Sequence, residues 1–113
     1  MKRQLFLAVD IGTQSTRVAL LDGLGKIVAS HSIGYELVIP RPGWAQQDPE
    51  TWWEAAVQGI REVSKSAEVK VGEVLAVCCD AQMHATIPLD PSGKLFSHEV
   101  QLWCDKRPSE VVE

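Results

Sequence analysis

The stretch Asp10-Ile11-Gly12-Thr13-Gln14-Ser15-Thr16-Arg17 brings a carboxylate, a glycine, several hydroxyls and a guanidinium together. Asp10 follows an apolar run, so its carboxylate projects from the end of a strand into whatever cleft lies above. Gly12 permits a tight turn and close approach of a ligand to the backbone. Thr13, Ser15 and Thr16 offer hydroxyls, and successive N–H groups of such a turn can form an anion-binding nest. Arg17 is a permanent cation matched to phosphate oxygens. Asp10, Gly12, Thr13, Gln14, Ser15 and Arg17 therefore suit a polyphosphate with a divalent cation, with Asp10 serving the metal directly or through water. The alternative is an ordinary hairpin turn with solvated hydroxyls.

A second set of polar and aromatic residues lies toward the C-terminus. His84, beside Gln82 and Met83, is either a ligand contact or a satisfied structural histidine. Asp105 and Arg107 are spaced to form an ion pair near Trp103. Trp52, Trp53 and Trp44 read first as packing or loop-covering residues. The cysteines Cys78, Cys79 and Cys104 form neither a C-x-x-C pair nor a zinc spacing. At least one of Cys78 and Cys79 is expected to be a small buried hydrophobe, a thiol activated by His84 being the lesser alternative.

These residues need elements to hold them. Gln4–Asp10 reads as a strand whose apolar stretch Leu5–Val9 suggests burial on both faces. Thr16–Asp22 and Lys26–Val38 follow as second and third strands, joined through Asp22-Gly23-Leu24-Gly25, which makes an antiparallel meander. Pro40-Arg41-Pro42-Gly43-Trp44 must be a loop. Asp48-Pro49 is a helix start, with Asp as N-cap and Pro in the first turn. Trp53, Ala56, Val57, Ile60, Val63 and Ala67 give the apolar stripe of a helix ending near Ser66. Glu73–Asp80 then returns as a strand parallel to the first, because a helix between strands favours a crossover. A hairpin of Ala85–Leu89 with Lys94–Phe96 around Asp90-Pro91-Ser92-Gly93, a short strand over Gln101–Asp105 and a helix start at Pro108 complete the expectation.

The chain has 113 residues, 11 basic and 15 acidic side chains, a net charge of −4, and 45% hydrophobic and 23% charged residues. That composition excludes disorder and argues for one domain at most. Mild acidity without a basic block argues against nucleic acid as a partner. The longest apolar run, Val74–Cys79, is far short of the ~20 residues that span a bilayer, and Leu5–Val9 is too short for a secretory core. No membrane partner and a cytoplasmic location are expected.

Several of these stretches together resemble one family. Asp10 to Arg17 is similar to the first phosphate motif of the actin, Hsp70 and sugar-kinase ATPases. Their N-terminal domain is an RNase H-like α/β sheet, a three-stranded antiparallel meander plus a parallel strand with a crossover helix. Pro42 to Trp53 resembles the first-domain helix start of the FGGY carbohydrate kinases. Gln82-Met83-His84 resembles the sugar-contacting segment of xylulokinases, and Trp103-Cys104-Asp105-Lys106-Arg107 resembles the family's W-x-D-x-R element. The resemblance implies ATP and Mg²⁺ as cofactors, with Asp10 as the magnesium contact. It implies a small-molecule sugar such as D-xylulose as acceptor, bound by Gln82, Met83, His84, Trp103, Asp105 and Arg107. It leaves open a homodimer of the full-length protein, other acceptors (ribulose, glycerol or another polyol) and a non-enzymatic actin-like nucleotide-binding module. Asp80-Ala81 stands where Ser-Gly is usual, and Ala85 where Gly is usual, which puts xylulose itself in question. The family's catalytic Asp and adenine-binding domain are expected beyond these residues. The chain accordingly reads as an incomplete N-terminal fragment, inactive alone.

Overall fold

The computed structural model describes residues 2–112. Its strands are β1 (Leu5–Ile11), β2 (Ser15–Asp22), β3 (Ile27–Gly34), β4 (Gln46–Gln47), β5 (Val74–Ala81) and β6 (Val100–Gln101). One helix, α1 (Pro49–Ser66), and a single 3-10 turn at Arg107–Glu110 complete the elements. The main sheet has the order β3-β2-β1-β5, with β1, β2 and β3 antiparallel and β5 parallel to β1. This is the expected α/β meander with a crossover helix. A small second sheet pairs β4 with β6. Among the described residues no helix is long and apolar enough to cross a membrane.

Local chemistry explains the joints. The Asp22 carboxylate accepts from the N–H groups of Leu24 and Lys26, both at 2.9 Å, and Gly25 takes φ 79°, so the β2–β3 turn is tight. Asp48 caps α1 by accepting from the Glu50 N–H at 2.9 Å. The core lies where α1 covers one face of the meander, burying Leu5, Leu7, Val9, Val18, Leu20 and Val63. A second cluster of Ala45, Trp52, Val100 and Leu102 lies beside it.

The structure corrects several expectations. Of the expected stripe, Val63 is buried and Ala56, Ile60 and Ala67 pack against the core, but the fully buried face of α1 runs through Trp52, Ala55, Gly59 and Val63, and Trp53 is 69% exposed. The stripe is rotated because α1 meets β2 at Gly59, where an added Cβ would lie 2.5 Å from Val18 Cγ2. β3 stops at Gly34 and not at Val38, since β2 begins at Ser15 and offers no partner further on. Instead the Tyr35 N–H donates to the Gln14 carbonyl. β1 is buried on one face only, with alternate residues more open. β5 lies at the sheet edge beyond the cover of α1, so Cys78 and Cys79 are both exposed and neither is a core residue. The expected hairpin is reduced to a turn and one Leu89–Leu95 bridge, because Pro88 and Pro91 supply no ladder donors. Of the strand expected over Gln101–Asp105, only Gln101 pairs, and Pro108 opens a 3-10 turn.

Candidate functional site

Register across the sheet sets one half of the site. Asp80 is opposite Asp10, Asp10 is opposite Arg17, and Arg17 is opposite Ser32. Laddered residues share a face, so these four form a polar row across β5, β1, β2 and β3, on the face α1 leaves open. Arg17 Nε donates to Ser32 Oγ at 3.3 Å. The Asp80 carboxyl is raised above the usual carboxylate range by its hydrogen bond with Asp10 and by that neighbour's charge.

The loop between β1 and β2 rises from this row. The Gly12 N–H donates to the Ser15 carbonyl at 2.9 Å, and a Cβ on Gly12 would meet that oxygen at 3.1 Å. A side chain at position 12 would press on the oxygen that closes the loop. Tyr35 Oη donates to the Gly12 carbonyl at 2.6 Å. With that proton committed, the buried Thr16 hydroxyl donates to Tyr35 Oη at 3.1 Å. Burial is the main reason the Tyr35 hydroxyl holds its proton more tightly than a free phenol. Gln14 is exposed at the loop crest, and Ser15 is half-buried at the start of β2.

The loop's tip is tied to the second set of residues. Thr13 Oγ1 donates to Gln82 Oε1 at 3.0 Å and accepts from Trp103 Nε1 at 3.1 Å. The Thr13 carbonyl accepts from Gln47 Nε2 at 2.6 Å, and Gln47 Oε1 accepts from Trp52 Nε1 at 2.9 Å. Gln82 follows directly on β5, and its N–H extends the parallel ladder by donating to the Ile11 carbonyl. Ala81, Gln82, Met83, His84 and Trp103 line a cavity of about 360 Å³. His84 takes φ 60°, a left-handed conformation costly for a residue with a Cβ, and strain of this kind concentrates at ligand sites.

Asp105 and Arg107 stand differently. The Asp105 side chain is 1% exposed and accepts from Arg107 Nη2 and from the Ala45 N–H, both at 2.7 Å. Arg107 also donates to Gln46 Oε1 at 3.1 Å, and its guanidinium stacks on Trp44 at 3.7 Å. Chiefly this Arg107 pairing holds the Asp105 carboxyl down at about 2. The pair clamps the segment carrying Trp103 onto the loop carrying Trp44. Asp105 also borders a second cavity of about 490 Å³ with His84 and Trp103.

Sequence reasoning gave Tyr35 and Gln47 no role, and it left Asp80 without a partner. Gln47 stands directly before the helix cap, and the burial that singles it out is set by the fold. Asp80 needed the parallel register, which no local pattern supplies. Asp10 and Asp80 present hard oxygen donors suited to Mg²⁺, and a like-charged pair gains from a cation between or beside it. Among the described residues no group of three or more His, Cys, Asp or Glu could hold a metal. Any cation here would complete its shell with water or ligand oxygens.

Known proteins share the sequence pattern and the fold. A family model described as the FGGY family of carbohydrate kinases, N-terminal domain, matches residues 5–113. The xylulose kinase of Staphylococcus epidermidis is 32% identical over 109 residues, which cover 96% of this chain and 22% of that protein. The crystal structure of gluconate kinase from Lactobacillus acidophilus superposes with a TM-score of 0.88 at 29% identity, covering 98% of this chain and 22% of that one. The crystal structure of Plasmodium falciparum glycerol kinase with ADP gives a TM-score of 0.83 at 26% identity over the same shares. The chain spans about 22% of the length of these relatives.

Proposed function

The chain belongs to the FGGY family of carbohydrate kinases, and on that footing we propose that residues 1–113 are the N-terminal part of its first, RNase H-like domain. The whole protein would transfer the γ-phosphoryl group of ATP to a hydroxyl of a ketose such as D-xylulose. The observation that carries this reading is the meeting of two sets of residues at the C-terminal ends of β1 and β5. There the loop of Asp10 to Arg17 faces the cavity of Gln82, Met83, His84 and Trp103.

In this reading Asp10 holds Mg²⁺, directly or through water, with Asp80 beside it. Loop N–H groups and Arg17 orient the phosphates. Bound ATP–Mg²⁺ supplies the phosphoryl group and neutralises its charge, so what the chain contributes is mainly position and electrostatics. Gln82 and His84 offer hydrogen bonds to acceptor hydroxyls, and Met83 and Trp103 offer apolar surface to the carbon skeleton. Asp105 and Arg107 support that wall. The base that takes the acceptor's proton and the adenine-binding domain would lie outside these residues, so the 113-residue chain alone is expected to be inactive.

A different acceptor is the second reading, and Asp80 favours it. Its carboxylate lies against the phosphate row where the xylulokinase pattern has serine. A coupled assay of ADP release by the complete protein, offered D-xylulose, D-ribulose, gluconate and glycerol, tests both. Turnover of xylulose supports the first reading and turnover of another acceptor the second. Turnover of none overturns the kinase reading.

A further inference from the structure

Thr13 sits in the loop assigned to phosphate, yet its hydroxyl is committed elsewhere. A threonine hydroxyl has one proton, and here it goes to Gln82 Oε1 at 3.0 Å. An indole N–H can only donate, and Trp103 Nε1 does so to Thr13 Oγ1 at 3.1 Å across 90 positions of sequence. In this arrangement the hydroxyl has no proton left for a phosphate oxygen. Both of its partners are walls of the 360 Å³ cavity. Its carbonyl is anchored to buried Gln47, and Gln82 Nε2 also approaches the Gly12 carbonyl at 3.4 Å.

We propose that Thr13 is a positioning residue that couples the acceptor cavity to the phosphate loop through its paired hydrogen bonds to Gln82 and Trp103. This rests on the kinase reading above. Trp103 is 57% exposed when the cavity is open to water. An acceptor packed against it and Gln82 excludes that water, which strengthens both hydrogen bonds and restricts the indole. The loop at Gly12–Ser15 is then held in the shape that receives phosphates. By linkage, phosphates ordering the loop tighten the acceptor by the same factor.

The test measures ADP affinity of the complete kinase with and without a saturating acceptor, taken as whichever of D-xylulose, D-ribulose, gluconate and glycerol it phosphorylates. In the unaltered protein the acceptor should tighten ADP by about tenfold, within the usual range for coupled sites. Thr13→Val should bring that factor to about twofold or less, and Thr13→Ser should restore it. Equal coupling in Thr13→Val and the parent overturns the proposal. So does a uniform loss of both affinities with the coupling factor intact, which would mark a merely structural role. If none of the four acceptors is phosphorylated, the kinase reading fails by itself. The tie is then judged on the complete protein by amide exchange at Gly12, whose N–H closes the loop on Ser15. Thr13→Val should speed that exchange by about fivefold or more and Thr13→Ser should not. Unchanged exchange overturns it.

Discussion

The two faces of the main sheet are built from the same strands and have different fates. One face gives Leu5, Leu7 and Val9 of β1 and Val18 and Leu20 of β2 to a core closed by α1. The other carries Phe6 and Ala8, ends in Asp10, and continues through Arg17 and Asp80. Apolar burial holds the first, and the second is left to chemistry. The difference teaches that an apolar run can be continuous in sequence while only its alternate residues are packed, because strand side chains alternate with a period of two.

The sharpest way to break the comparison is to remove a large apolar side chain from each face. Leu20→Ala should cost about 3 kcal/mol in urea unfolding, through lost transfer energy and a residual cavity. Phe6→Ala on the open face should cost about 1 kcal/mol or less. Equal losses would mean that the open face is covered after all.

Next in size is the clamp beside the covered face. Asp105→Asn should cost on the order of 3 kcal/mol at neutral pH, because it leaves the Arg107 guanidinium without its counter-charge. Asp105 titrates at about 2 in the fold against an ordinary 3.8, so its contribution is complete above the higher value and disappears as pH falls through the lower. A melting series between those pH values should therefore slope downward with acid in the parent. It should be flatter in the variant.

Gly59→Ala probes the covered face from the helix side. The added methyl collides with Val18, a cost of about 1–3 kcal/mol, offset by the ~1 kcal/mol that alanine gains over glycine in a helix. A net loss of about 1 kcal/mol is expected, and a net gain would show that α1 can shift off β2.

Two smaller effects sharpen the description of the open end. His84→Gly should raise stability by about 1 kcal/mol, since glycine adopts φ 60° without strain, and should weaken acceptor affinity in the complete protein. Asp80→Asn should raise the melting temperature slightly in metal-free buffer by removing repulsion from Asp10. Mg²⁺ should narrow that difference.

Much of this was legible locally. The Asp48-Pro49 helix start, the turns at Asp22 and Asp90, and the α/β order follow from residues whose preferences are set within a few positions. The polar residues of the β1–β2 loop could be picked out by type. Less legible were Trp53, which faces solvent where its spacing pointed inward, and Cys78 and Cys79, which sit in an apolar run yet are exposed. Their fate depended on where α1 could approach the sheet, and Gly59 decided that.

The sequence by itself determined β1, β2, α1 and β5, their order and the chemical inventory of the loop, because capping, turn formation and side-chain alternation are short-range effects. Only the tertiary structure decided that Asp80 stands beside Asp10, that Thr13 gives its proton to Gln82, and that the Asp105–Arg107 pair is bonded to Ala45 and Gln46. Those pairings join residues tens of positions apart. They are fixed by strand register and by the burial that makes an unpartnered polar group costly, neither of which a local pattern records.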